Sequence, residues 1–121
     1  MMDRYGDRLE GSTYKDDEPV GAGPAQDDPG KYEGWIWIPD RLFARMQHVG
    51  KAYELHVLPR LDPYARNSLG REQVESLLDE IEFLDKVVDD PVLRVQLEQL
   101  RSVALKVVRE PIRTELVIEG P

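Results

Sequence analysis

The stretch GWIWIPDRLF, residues 34–43, sets Trp35 and Trp37 in strict alternation with Ile36 and Ile38 before turning polar at Pro39 and Asp40. Alternate residues of a strand face opposite sides. If the isoleucines enter a core, the indoles face away from it; if the indoles enter, the isoleucines are left outside. Either way one large apolar pair needs a cover. The change after Ile38 marks the end of a strand over 35–38 and the start of a helix at Asp40, whose carboxylate can accept the first free N–H groups.

From Asp40 onward the apolar period is three and four. Leu42, Phe43, Met46, Val49, Tyr53 and Val57 form one stripe, which predicts a helix over about 40–58, stopped by Pro59. Gly50 within it costs about 1 kcal/mol relative to Ala and points to a neighbouring helix crossing closely. The turn-rich connection RLDPYARNSLG, residues 60–70, carries Arg60, Tyr64 and Arg66. With Arg71 these make a small basic and aromatic cluster, read as surface pairing with the helix that follows.

That second helix, about 71–88, turns Val74, Leu77, Leu78, Ile81, Leu84 and Val88 inward. Its other side holds Glu72, Glu75, Asp79, Glu80, Glu82 and Asp85, with Asp89 and Asp90 just beyond. The third helix, about 91–109, takes Asp90 as its cap and Pro91 at its first position, where a missing N–H costs nothing. Leu93, Leu97, Leu100, Ala104 and Val107 line its inner side, and it ends before Pro111. Residues 114–119 alternate Leu116 and Ile118 against Glu115, Val117 and Glu119, the pattern of a second strand.

An isolated strand leaves its backbone groups unpaired, so the strands at 35–38 and 114–119 are expected to pair with each other across the helices. Up-down order through three helices favours a parallel pair, and base rates favour an antiparallel one. With Leu116 and Ile118 facing the helices, Ile36 and Ile38 join them, and Trp35 and Trp37 lie on the outer face beside Val117. The predicted fold is α+β and mainly helical, one small globular domain over 34–121. Residues 1–33 contain DDEPVGAGPAQDDPGK and no hydrophobic period, so they are expected to form an acidic flexible tail, disordered unless a partner orders it.

The chain has 121 residues, no cysteine, and 24 acidic residues against 16 basic, a net charge of -8. A disulfide framework, a thiolate zinc site and a cysteine nucleophile are excluded. The charge disfavours nucleic acid and anionic membranes and favours a basic partner. No run approaches a membrane span and no secretory signal opens the chain, so the expected location is cytoplasmic.

Candidate sites are few. His48 and His56, read on one helix, stand about 80° apart around its axis, which is poor geometry for a shared metal. No nucleophile elbow or phosphate loop occurs, so no enzyme, cofactor or metal is expected. Glu72, Glu75, Asp79 and Glu82 follow three- and four-residue steps along one stripe, where like charges repel by about 0.2–0.5 kcal/mol per pair. On a regular helix they do not wrap a calcium ion; they suit either plain solvation or recognition of a basic protein. Trp35 and Trp37 suit either core-edge packing or an interface anchor. The function expected is a small acidic protein-binding protein, an inhibitor or immunity-type protein that occludes a basic effector such as a toxin or nuclease. The alternative is an accessory or structural subunit that docks through its N-terminal tail; a small hydrolytic or metal-dependent enzyme ranks third.

Overall fold

The computed structural model describes residues 4–26, 28, 30–110 and 114–121. Helices α1 (Asp40–Ala52), α2 (Arg71–Val87) and α3 (Pro91–Arg109) join strands β1 (Pro19–Pro24), β2 (Ile36–Pro39), β3 (Arg66–Leu69) and β4 (Leu116–Glu119). The fold is α+β, with the helices packed on one face of a four-stranded antiparallel sheet of order β2-β1-β4-β3.

The two strands expected to pair do not touch, because β1 lies between them. Val20 pairs with Ile38, and Ala22 pairs with both Ile36 and Ile118. β1 is antiparallel to each neighbour, so β2 and β4 run in the same direction one strand apart. The expected acidic flexible tail is therefore not supported: residues 19–24 are an inner strand of the sheet. Residues 1–3, 27 and 29 of that segment lie outside the described residues.

Ahead of β1, two short 3-10 turns, Gly6–Leu9 and Gly11–Tyr14, lead to Tyr14, which is 2% exposed. Its ring lies beneath the guanidinium groups of Arg41 and Arg45, 4.8 and 5.3 Å from its centroid. Its hydroxyl donates to Arg8 O and accepts from Arg45 Nη2. Arg45 Nη1 also donates to Asp90 Oδ2 at 2.8 Å. Burial opposes the charge of Arg45, but Tyr14 and Asp90 outweigh it and hold the guanidinium above the usual arginine range. Asp17 takes Arg41 in a two-pronged pair, with Nη2 at 2.7 Å and Nε at 2.8 Å. These contacts fasten the leading segment to α1.

The helices begin and end for identifiable reasons. Asp90 Oδ1 accepts the N–H groups of Val92 and Leu93, both at 3.1 Å, and Pro91 occupies the first position, as expected for α3. Its expected stop, Pro111, lies outside the described residues. Asp40 does not cap α1; Asp17 Oδ2 stands 3.4 Å from Arg41 N instead. α1 also stops at Ala52, six residues before its expected end at 58. Glu54 there adopts φ of 59°, its N–H donates to Lys51 O, and Leu55 N–H donates to Gly50 O. This is the left-handed helix stop usually built on glycine. Gly50 does face a close approach, though from Pro59 rather than from a helix: a Cβ there would meet the Pro59 ring at 3.2 Å.

The core between sheet and helices joins Val20, Ala22, Ile38, Leu116 and Ile118 to Leu42, Phe43, Met46, Leu77, Ile81, Leu97 and Leu100. No helix among the described residues is long and apolar enough to cross a membrane.

Candidate functional site

The outer face of the sheet is where the opening alternation resolves. Ile36 and Ile38 join the core, and the indoles point away from it. On β1 the outward positions beneath them are Gly21 and Gly23. A Cβ on Gly21 would stand 2.7 Å from Trp37 Cζ3, and one on Gly23 would fall on the five-membered ring of Trp35. Trp35 thus lies down on the strand, donates its Nε1–H to Pro24 O at 3.0 Å, and is 8% exposed. Val117, paired with Gly23, is buried on this same face, outside the helix-side core.

Trp37 and Tyr32 remain open at 47% and 40% exposure. Tyr32 meets Trp35 and Trp37 edge-on, with centroids 5.0 and 5.3 Å apart. The cover sought for the indoles is thus largely internal: the glycine strand beneath, and Tyr32 beside. What is left is an exposed aromatic patch of Trp37 and Tyr32. Across the sheet from Trp37, Arg66 Nη1 stands 3.7 Å from Glu119 Oε2.

The second surface is α2. Glu72, Glu75, Asp79 and Glu82 are all exposed along it. Glu75 stands 3.4 Å from Arg71 and Glu82 3.9 Å from Lys86, while Glu72 and Asp79 have no ion-pair partner among the described residues. A cleft between α2 and α3 carries the acidic face onward through Glu82, Asp85 and Glu98, with Arg101 beside them.

Two of the acids grouped on that face belong elsewhere. Asp90 caps α3, and Glu80 is 7% exposed with a structural task. Glu80 Oε2 accepts the N–H groups of His56 and Val57 at 3.1 and 2.8 Å, and Oε1 accepts that of Leu58 at 2.9 Å. It thereby holds the chain that leaves α1 against α2.

The structure does not bring the six candidate residues together. Glu72, Glu75, Asp79 and Glu82 lie on the helical layer, whereas Trp35 and Trp37 lie on the far face of the sheet, with Trp35 buried. His48 and His56 are separated as well, because α1 ends before His56; His48 lines a cleft with Lys51 and Pro63, and His56 one with Arg60 and Gln73. Among the described residues no group of three or more His, Asp or Glu could hold a metal ion. Of the connection, Arg66 and Arg71 pair with acids, and Tyr64 stands 77% exposed. Set against models of known protein families, curated proteins and solved structures, the chain matches none.

Proposed function

We propose that this chain is a non-catalytic, cytoplasmic protein-binding protein of the inhibitor or immunity type, which occludes a basic effector with the acidic face of α2. The observation that supports this most is the disposition of Glu72, Glu75, Asp79 and Glu82. All four are exposed in one line, two lack an ion-pair partner among the described residues, and two have long ones. The helix gains a little from Glu72 in its first turn and from the two pairs spaced four residues apart, but the row as a whole repels itself, whereas a basic partner gains in encounter rate and register. The Trp37–Tyr32 patch, on the opposite side, offers a second contact area rather than part of the same one. The accessory-subunit reading has less behind it, because residues 19–24 are engaged within the sheet and Tyr14 is buried against α1.

The test is affinity capture on the full chain followed by an activity assay on whatever co-purifies at one-to-one stoichiometry. A basic protein whose activity falls on adding the chain is the expected result. Capture that is unchanged after E72Q, E75Q, D79N and E82Q are combined would remove the acidic face from the mechanism.

A further inference from the structure

A cleft of about 390 Å³ opens beside β3, between that strand, the 3-10 turn Leu58–Arg60 and the start of α2. Its polar lining is His56, Arg60, Asn67, Ser68 and Gln73. In a chain with 24 acidic residues, no carboxylate among the described residues lines this cleft. The side chains of Arg60 and His56 have no ion-pair or hydrogen-bond partner among the described residues, although Arg41, Arg45, Arg66, Arg71, Arg94 and Arg101 each meet an acid. Gln73 Oε1 accepts the N–H of Gly70 at 3.1 Å, which leaves its amide N–H groups unspent. Ser68 pairs with Val117 and so turns its side chain to the outer face of the sheet, meeting the cleft along the edge of β3 and not as a hydroxyl donor. Asn67 contributes shape rather than donors, since its Nδ2 is occupied by Asp62 O and Ile118 O. The one carboxylate underlying His56, that of Glu80, has both oxygens engaged by backbone N–H groups.

We infer that this cleft binds the oxyanion group of a small organic acid, a carboxylate or a phosphate ester, through Arg60, His56 and Gln73. A planar guanidinium presents paired donors that match either group, and charge-assisted hydrogen bonds are the strong ones. The volume is that of a small-ligand site. Its apolar wall of Val57, Leu61 and Leu69 accommodates the carbon part of such a ligand.

The experiment is an NMR titration of the full chain with sodium phosphate and, separately, with sodium acetate, each against sodium chloride at matched ionic strength. Saturable amide shifts confined to His56, Arg60, Ser68 and Gln73 are expected, and the anion that saturates tells phosphate from carboxylate recognition. R60Q is expected to weaken that affinity about tenfold, H56Q to weaken it less, and K51Q, outside the cleft, to leave it unchanged. Shifts that chloride reproduces, or that persist undiminished in R60Q, would overturn the assignment. All three side chains are exposed, so loss of the fold does not confuse the reading.

Discussion

Trp35 lies flat on Gly23, so that its five-membered ring occupies the space a Cβ on that residue would need. The indole cannot slide away without breaking its bond to Pro24 O. G23A is therefore expected to destabilise the fold by about 3 kcal/mol, the upper range for overpacking. Because the cost arises from one pair, it is expected to shrink strongly in a W35L background, which a double-mutant cycle by denaturant unfolding reads directly. Equal costs in both backgrounds would mean that Gly23 is required by the strand and not by the indole.

The same contact explains why β1 was illegible in the sequence. PVGAGP has the composition of a flexible linker, yet Val20 and Ala22 supply the inward pair and the glycines supply room for the rings outside. Composition records which residues are present and says nothing of a partner that needs their side chains to be absent. Helices α2 and α3, by contrast, bury a full amphipathic period and were readable almost to the residue. α1 was overextended because its stop uses Glu54 where glycine would have announced it. Alternation alone leaves the face of Trp35 and Trp37 open. The outer face follows from setting Ile36 and Ile38 beside Leu116 and Ile118, which holds although β1 lies between the two strands. The different depths of the indoles depend on Gly23 and Pro24, eleven or more residues away. Glu80 could not be told from its acidic neighbours by spacing, since what distinguishes it is the chain folded back over it.

Glu80 and Glu75 offer a matched contrast on one helix. Removing the carboxylate charge with E80Q weakens three backbone hydrogen bonds and is expected to cost about 2 kcal/mol, with faster amide exchange at His56, Val57 and Leu58. E75Q, on the exposed side, is expected to stay within about 0.5 kcal/mol of the parent. Indistinguishable unfolding curves for the two variants would refute the structural role of Glu80.

The turn after α1 is strained by its residue choice. Glu54 at φ of 59° lies where a side chain crowds the backbone, and glycine does not. E54G is expected to stabilise by about 0.5–1 kcal/mol despite the added freedom of the unfolded chain. E54A, which keeps a Cβ, is expected to gain nothing, and thermal unfolding of the pair decides the matter.

Asp17 makes the docking of the leading segment sensitive to acid. Its paired hydrogen bonds with Arg41 are the main reason its carboxyl lies below the ordinary 3.8, with burial opposing them. A group depressed on folding contributes its full stabilisation above the unfolded value and loses it as pH falls through the folded one. NMR signals of Thr13, Tyr14 and the Arg41 Nε–H are therefore expected to hold steady from neutral pH to about 4 and to move together below it. D17N is expected to abolish that transition and to converge with the parent in stability at the acid end. A transition that survives in D17N would belong to another carboxylate.

The partner surface can be divided into charge and anchor. Combining E72Q, E75Q, D79N and E82Q is expected to slow association with a basic partner and to flatten its dependence on salt, with dissociation less affected, because exposed charges act mainly through steering. Trp35 and Trp37 are expected to separate. W35A removes a buried ring and its hydrogen bond, so it is expected to cost about 3–5 kcal/mol of fold stability. W37A removes a half-exposed ring, so its effect on unfolding is expected to be small. If the aromatic patch is a contact, W37A speeds dissociation by an amount worth about 2 kcal/mol, while association is nearly unchanged. Since Trp37 and the acidic stripe lie on opposite sides of the molecule, their effects on one partner are expected to add without coupling. Should the quadruple variant associate at the parental rate at every salt concentration, the carboxylates of α2 would be ordinary solvated surface and the inhibitor proposal would have lost its physical basis.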